Sequence, residues 1–214
     1  MKKVLLVLML AGSLCSCGTT FFSFDDSAKH KTVLAKKTQD QNLPEPDETQ
    51  AQIVFLRPSD KVGSAKYPYS VIYNVSSAQD EAIAVAEPNS KTYAFFEPGR
   101  HLLLSTDGVS SHILEAFLLA GERYYVVVRP MYQQGYQLRP VSHASYGEFT
   151  QTNPKFSSWL NKTSLVEPAS GLVPWQKKYR RALERQKQRA TEVWQAHTAN
   201  TRAQLTLLEE YAEK

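Results

Sequence analysis

From Ile53 to Val141 the chain is a train of short apolar runs, rich in β-branched and aromatic residues and broken by turn-forming ones about every ten residues. No helical period of any length interrupts them, so they read as strands: IVFLR (53–57), SVIYNV (70–75), AIAVA (82–86), TYAFF (92–96), HLLLS (101–105), HILEAFL (112–118), RYYVVV (123–128) and YQLRPV (136–141). Between them stand turn signals such as Glu87-Pro88-Asn89-Ser90, Glu97-Pro98-Gly99 and Ala120-Gly121-Glu122. There Pro pre-sets one dihedral, while Gly or Asn tolerates a positive one. Many of these strands are apolar on both faces; in RYYVVV, Tyr124, Val126 and Val128 alternate with Tyr125 and Val127. The expected fold is mainly β, an antiparallel β-sandwich whose inner strands are covered on both sides, in part by the C-terminal segment.

The stretch FFEPGRHLLLS, followed about twenty residues on by LAGERYYVVV and preceded by the opening strand AQIVFLRPS, resembles an uncharacterised domain of bacterial envelope lipoproteins. In outline that domain is similar to PEGA-type and prealbumin-like β-sandwiches. The resemblance spans residues 51 to about 142 and implies a fold and a cellular setting without implying a reaction.

The N-terminus bears on that setting. Lys2 and Lys3 precede an apolar run from Val4 to Leu14, too short for a bilayer that needs roughly 20 apolar residues and shaped like a secretory signal. It ends in Leu14-Cys15-Ser16-Cys17, which resembles the lipobox of bacterial lipoproteins, a Leu at −3 and a small residue at −1 before the lipid-bearing Cys. The resemblance implies that residues 1–16 are removed and that Cys17 is lipidated; Cys15, preceded by bulky Leu14, fits worse. Several acyl chains hold a protein on a membrane far more firmly than one. Gly18 rather than Asp at +2 points to the outer membrane, on its periplasmic face. A classical signal peptide with incidental cysteines and a short uncleaved anchor are the other readings.

Residues 17–50 read as a lipidated flexible tether, polar and proline-containing after Phe21, Phe22 and Phe24. Residues 51–145 form the sandwich, 146–173 an irregular connector, and 174–214 a helix opening at Pro174. A single helix of that length would reach roughly 58 Å, longer than a small sandwich, so that part of it must project or bend.

Reactive constellations are missing. There is no Gly-x-Ser-x-Gly elbow, Ser142 and His143 are neighbours that alternation points apart, and His30, His101, His112, His143 and His197 lack metal-ligand spacing. The expectation is a protein that is not an enzyme, with no cofactor and no metal.

Two groups of residues offer binding instead. Tyr67, Tyr69, Tyr93, Tyr124, Tyr132 and Tyr136 are dense for one β-domain. They make either a sugar-stacking or protein-binding face or ordinary rim residues. Lys177, Lys178, Arg180, Arg181, Arg185, Lys187 and Arg189 crowd the first half of the C-terminal helix against Glu184 and Glu192. They make a solvated face, an electrostatic contact with anionic lipid, lipopolysaccharide or the acidic parts of the cell wall, or a surface for a partner protein or self-association. Nucleic acid is not an expected partner in the periplasm. The function expected is a membrane-anchored, non-enzymatic binding or scaffolding component of the envelope. The alternative is an accessory of cell-wall processing that recognises carbohydrate or peptidoglycan.

Overall fold

The computed structural model describes residues 33–58, 69–76, 81–108, 110–131 and 134–213. Two mixed sheets face each other. The strands are β1 (Ala35–Lys37), β2 (Ala51–Arg57), β3 (Ser70–Asn74), β4 (Glu81–Ala86), β5 (Ser90–Phe96), β6 (Gly99–Thr106), β7 (Ser111–Leu118), β8 (Arg123–Met131), β9 (Gly135–Pro140), β10 (Ser164–Pro168) and β11 (Thr206–Leu207). The first sheet runs β1-β10-β5-β2-β8-β9 and the second β11-β7-β6-β3-β4. Helices α1 (Pro154–Lys162), α2 (Leu172–Ala196) and α3 (Ala199–Ala203) and a 3₁₀ turn (Glu209–Tyr211) complete the chain.

All eight strands legible in the sequence are present, within a few residues of their expected ends. Their turns form as the residue types require, with Gly99 at φ +122° and Gly121 at φ +77°, where a side chain would be strained. Pairing departs from a purely antiparallel sandwich. Strands β2 and β8 lie side by side in parallel, from Gln52 opposite Arg123 to Leu56 opposite Val127. Parallel strands need a long crossover, and residues 58–122 supply it by building most of the second sheet.

Burial follows the two-residue period of a strand. In β2, Ile53 and Phe55 face the second sheet while Val54 and Leu56 face away; in β8, Tyr124, Val126 and Val128 point inward and Tyr125 and Val127 outward. Every residue of β2 is buried. The first sheet's outer face is covered by α1, whose Phe156 meets Tyr125 edge-on at 5.0 Å. On the second sheet the cover is α2, through Trp175, Ala190 and Trp194.

Three expected boundaries are corrected. The proposed connector at 146–173 holds α1 and β10. Asn153 caps α1 by accepting from the Lys155 N–H at 2.9 Å, Pro154 fits its first turn, and Phe156, Trp159 and Leu160 share the i, i+3, i+4 spacing of one helix face. The expected tether is partly folded: Leu34 and Ala35 are buried, and β1 pairs with β10. The C-terminal helix ends at Ala196, because His197 turns extended and Thr198 caps a new short helix. Beyond it, Leu205, which with Leu208 lies at helical spacing in the sequence, instead enters the core together with Leu207, the latter in a strand parallel to β7.

Arg123 joins the segment before β2 and the segment after the 3₁₀ turn to the sandwich. Its guanidinium donates to Gln52 Oε1 at 2.5 Å and to the Pro44 carbonyl at 2.8 Å, and pairs with Glu45 at 3.0 Å and Glu213 at 3.4 Å. The Glu213 N–H donates to the Arg123 carbonyl at 2.7 Å.

A second arginine lies between the sheets. Arg57, 2% exposed, donates to the Ala86 carbonyl at 2.7 Å and to Tyr136 Oη at 2.5 Å, with its guanidinium 4.2 Å from the Tyr136 ring centre. A buried charge persists only when paired and hydrogen-bonded. Nearby, burial holds the Glu87 carboxyl above its ordinary value of 4.5, with Arg57 opposing the shift.

Two outcomes are expected. Leu207→Ala should cost about 2–5 kcal/mol in urea unfolding, the range for a fully buried leucine; a variant as stable as wild type would show that the C-terminal strand adds nothing to the core. For Glu87, the raised folded-state value means that the folded protein binds more proton than the unfolded chain. Its contribution to stability is therefore greatest on the acid side and is lost as pH rises through the folded-state pKa. Glu87→Gln should flatten that part of the melting-temperature profile measured against pH.

Candidate functional site

Helix α2 fixes the geometry of the basic surface that the sequence singles out. Leu172, Trp175, Tyr179, Leu183, Ala190 and Trp194 recur at steps of three, four and seven or eight, forming one stripe that packs on Val71, Tyr73, Leu104 and Ile113 of the second sheet. With that stripe buried, the basic residues are forced outward. Lys177, Lys178, Arg180, Arg181, Arg185 and Arg189 are exposed and Lys187 is half-buried.

Within that face Lys177, Arg181, Arg185 and Arg189 recur at every fourth position. They form a cationic line roughly 18 Å long. Residues four apart are neighbours on a helix, and each like-charged pair costs roughly 0.2–0.5 kcal/mol. The first turn of α2 contains no acid and the last no base, so the cations are not placed to favour the helix dipole either. Glu184, three residues after Arg181, and Glu192, three after Arg189, offset part of that repulsion.

Beside the line, α2 and the second sheet enclose an open groove of about 680 Å³. Tyr73, Val75, Leu104 and Leu183 give it apolar walls, and Lys177, Arg180 and Lys187 edge it with positive charge.

The tyrosines do not make a common face. Tyr124 and Tyr136 are fully buried between the sheets, Tyr69 packs on the α2 side of the second sheet, and Tyr93 packs on the α1 side of the first. Strand alternation sends them to different layers, and buried phenols take local partners: Tyr124 Oη accepts from the Leu119 N–H at 3.0 Å and Tyr136 Oη accepts from Arg57. Tyr67 and Tyr132 lie outside the described residues, as does the lipidation candidate Cys17. An aromatic residue that sequence reasoning passed over, Tyr146, is 86% exposed. Its signal was position: a tyrosine between Ser145 and Gly147, with no apolar neighbour in the chain, has no core to enter.

The described histidines are engaged locally. His101 Nε2 lies 2.8 Å from the Glu97 carbonyl, His112 Nε2 lies 2.6 Å from that of Gln134, and His143 Nε2 contacts the Ala212 carbonyl. His197 meets Trp194 edge-on at 6.2 Å. Among the described residues no three His, Cys, Asp or Glu side chains converge as metal ligands, and no helix is long and apolar enough to cross a membrane.

No family model, curated protein or solved structure matches the chain. A functional reading therefore rests on its own residues.

Because these exposed side chains lie outside the core, the combined change Lys177→Gln, Arg181→Gln, Arg189→Gln should leave stability unchanged. Urea unfolding checks this; a loss beyond about 1 kcal/mol would show that these residues hold α2 in place.

Proposed function

We propose that this protein is a non-enzymatic binding or scaffolding component of the bacterial cell envelope. In this reading Cys17 carries lipid and holds the chain on the periplasmic face of the outer membrane. The sandwich is a rigid mount, and α2 presents its cationic line to an anionic surface, the carboxylate-bearing cell wall.

One observation carries the reading. Four cations at every fourth position stand in one row on the exposed side of a helix whose opposite face is firmly packed. An electrostatic contact suits that row, because fixed charges on a rigid helix meet a polyanion with little ordering of their own. Lipobox-like Leu14-Cys15-Ser16-Cys17 supports the anchor. The alternative, sugar recognition by a tyrosine face, draws no support from tyrosines divided among separate layers.

Two measurements test the reading. The full-length chain, solubilised in detergent, should sediment with purified peptidoglycan sacculi at low salt. It should be released at molar salt, where screening shortens to roughly 3 Å. The Lys177→Gln, Arg181→Gln, Arg189→Gln variant should stay in the supernatant at low salt, and wild-type-like sedimentation of that variant would overturn the assignment of α2. Incorporation of a fatty-acid analogue should be lost in Cys17→Ala and retained in Cys15→Ala; label persisting in Cys17→Ala would overturn the anchor.

A further inference from the structure

On the far side of the molecule from α2, Arg129 of β8 and Arg139 of β9 share the outer face of the first sheet. Arg139 stands opposite Val127 and Arg129 opposite Gln137 in the β8–β9 ladder. Their guanidinium carbons lie 5.8 and 5.2 Å from the centre of the same ring, Phe149. Stacking on an aromatic face fixes each guanidinium and leaves its N–H edge available.

That edge is unused. Neither arginine takes part in an ion pair or donates a hydrogen bond to another group among the described residues, and Arg139 Nε is buried without a partner. Burial and the neighbouring Arg129 both push the Arg139 guanidinium below its ordinary value, with Glu148 opposing them. One exposed carboxylate thus stands against two cations. Such a pair is an unsatisfied donor set in a site that disfavours its own charge.

The arginines open into a cleft of about 330 Å³ at the margin where β9 of one sheet nears the C-terminal segment after α2. Ser142, Glu148, Thr150 and Tyr211 line it with them, and exposed Tyr146 stands in its wall. Gly147, at φ +132°, turns the loop there, and a Cβ at this position would crowd Thr150 Cγ2 at 3.2 Å. The volume suits a small ligand or the end of a chain.

We propose that this cleft binds an oxyanion, the carboxylate or phosphate of a small ligand, through the N–H edges of Arg129 and Arg139, with Tyr146 stacking on whatever the anion is attached to. A guanidinium matches either anion in a two-pronged hydrogen-bonded pair. The site is independent of the cationic line on α2 and stands or falls separately from it.

Thermal unfolding of the full-length chain in detergent, at constant ionic strength, tests the site with sodium phosphate, sodium acetate and sodium chloride as probes. A ligand that binds the folded state raises the melting temperature with its concentration. Phosphate or acetate should stabilise the protein where chloride does not; whichever acts more strongly identifies the anion class. Arg139→Gln should weaken the apparent affinity about tenfold or more, the loss expected for a charge-assisted hydrogen bond. Lys177→Gln, Arg181→Gln, Arg189→Gln should leave it unchanged. Equal stabilisation by all three salts, or an unaltered response in Arg139→Gln, would overturn the proposal. Arg129→Gln provides a second variant at a more exposed position, and its unfolding without anion separates lost binding from lost folding.

Discussion

The strands at the centre of this protein are apolar on both faces, and each such face must be removed from water by a different neighbour. Strand β2 is the extreme case, with Ile53 and Phe55 requiring one cover and Val54 and Leu56 another. A two-layer sandwich supplies only one. The second comes from the helices, α1 against the first sheet and α2 against the second, giving four layers in which the central strands are covered on both faces. Burial of each large aliphatic or aromatic side chain is worth about 1.5–3 kcal/mol. The helices are therefore part of the fold and not additions to a self-sufficient sandwich.

The same constraint explains how much was legible in the sequence. Strands β2 to β9 announced themselves because their apolar runs are bounded by Pro, Gly and Asn turns, and local chemistry decides a turn. Residues 154–168 were opaque for the opposite reason: α1 spans nine residues and β10 five, too few for a period to stand out. Its helix shows only in Asn153-Pro154 and in the spacing of Phe156, Trp159 and Leu160. The C-terminal stretch misled because Leu205 and Leu208 continue a helical spacing by chance, while Thr198 is a cap that ends the helix. Pairing of β1 with β10 joins residues more than a hundred positions apart, which no local pattern encodes.

For the candidate sites the difference lies between charge and aromatic residues. The basic residues of α2 could be placed outside from sequence, because a helix with one apolar stripe leaves the rest of its circumference to water. Tyrosines carry no such direction: in a strand, one residue of offset exchanges core for surface. Tyr124 and Tyr125 are adjacent in the chain and belong to different hydrophobic clusters. The Arg129 and Arg139 pair was hidden for a related reason, since only the β8–β9 register brings the two to one face and only the returning loop sets Phe149 over them.

Segments from near both ends of the described residues are built into the sheets. Residues 35–37 close one edge of the first sheet through β10, residues 206–207 close one edge of the second along β7, and Arg123 grips Glu45 and Glu213 together. A nascent chain that has reached β9 already holds nearly all of its strands, yet β7 still shows an unpaired flank and each sheet lacks its helical lid. Exposed strand edges recruit other strands, so a partial chain of that length is adhesive, and β11 is what seals the flank of β7. Such a molecule is safest when it is kept extended until β11 has been made, and a protease that cut just before Thr206 would reopen that flank.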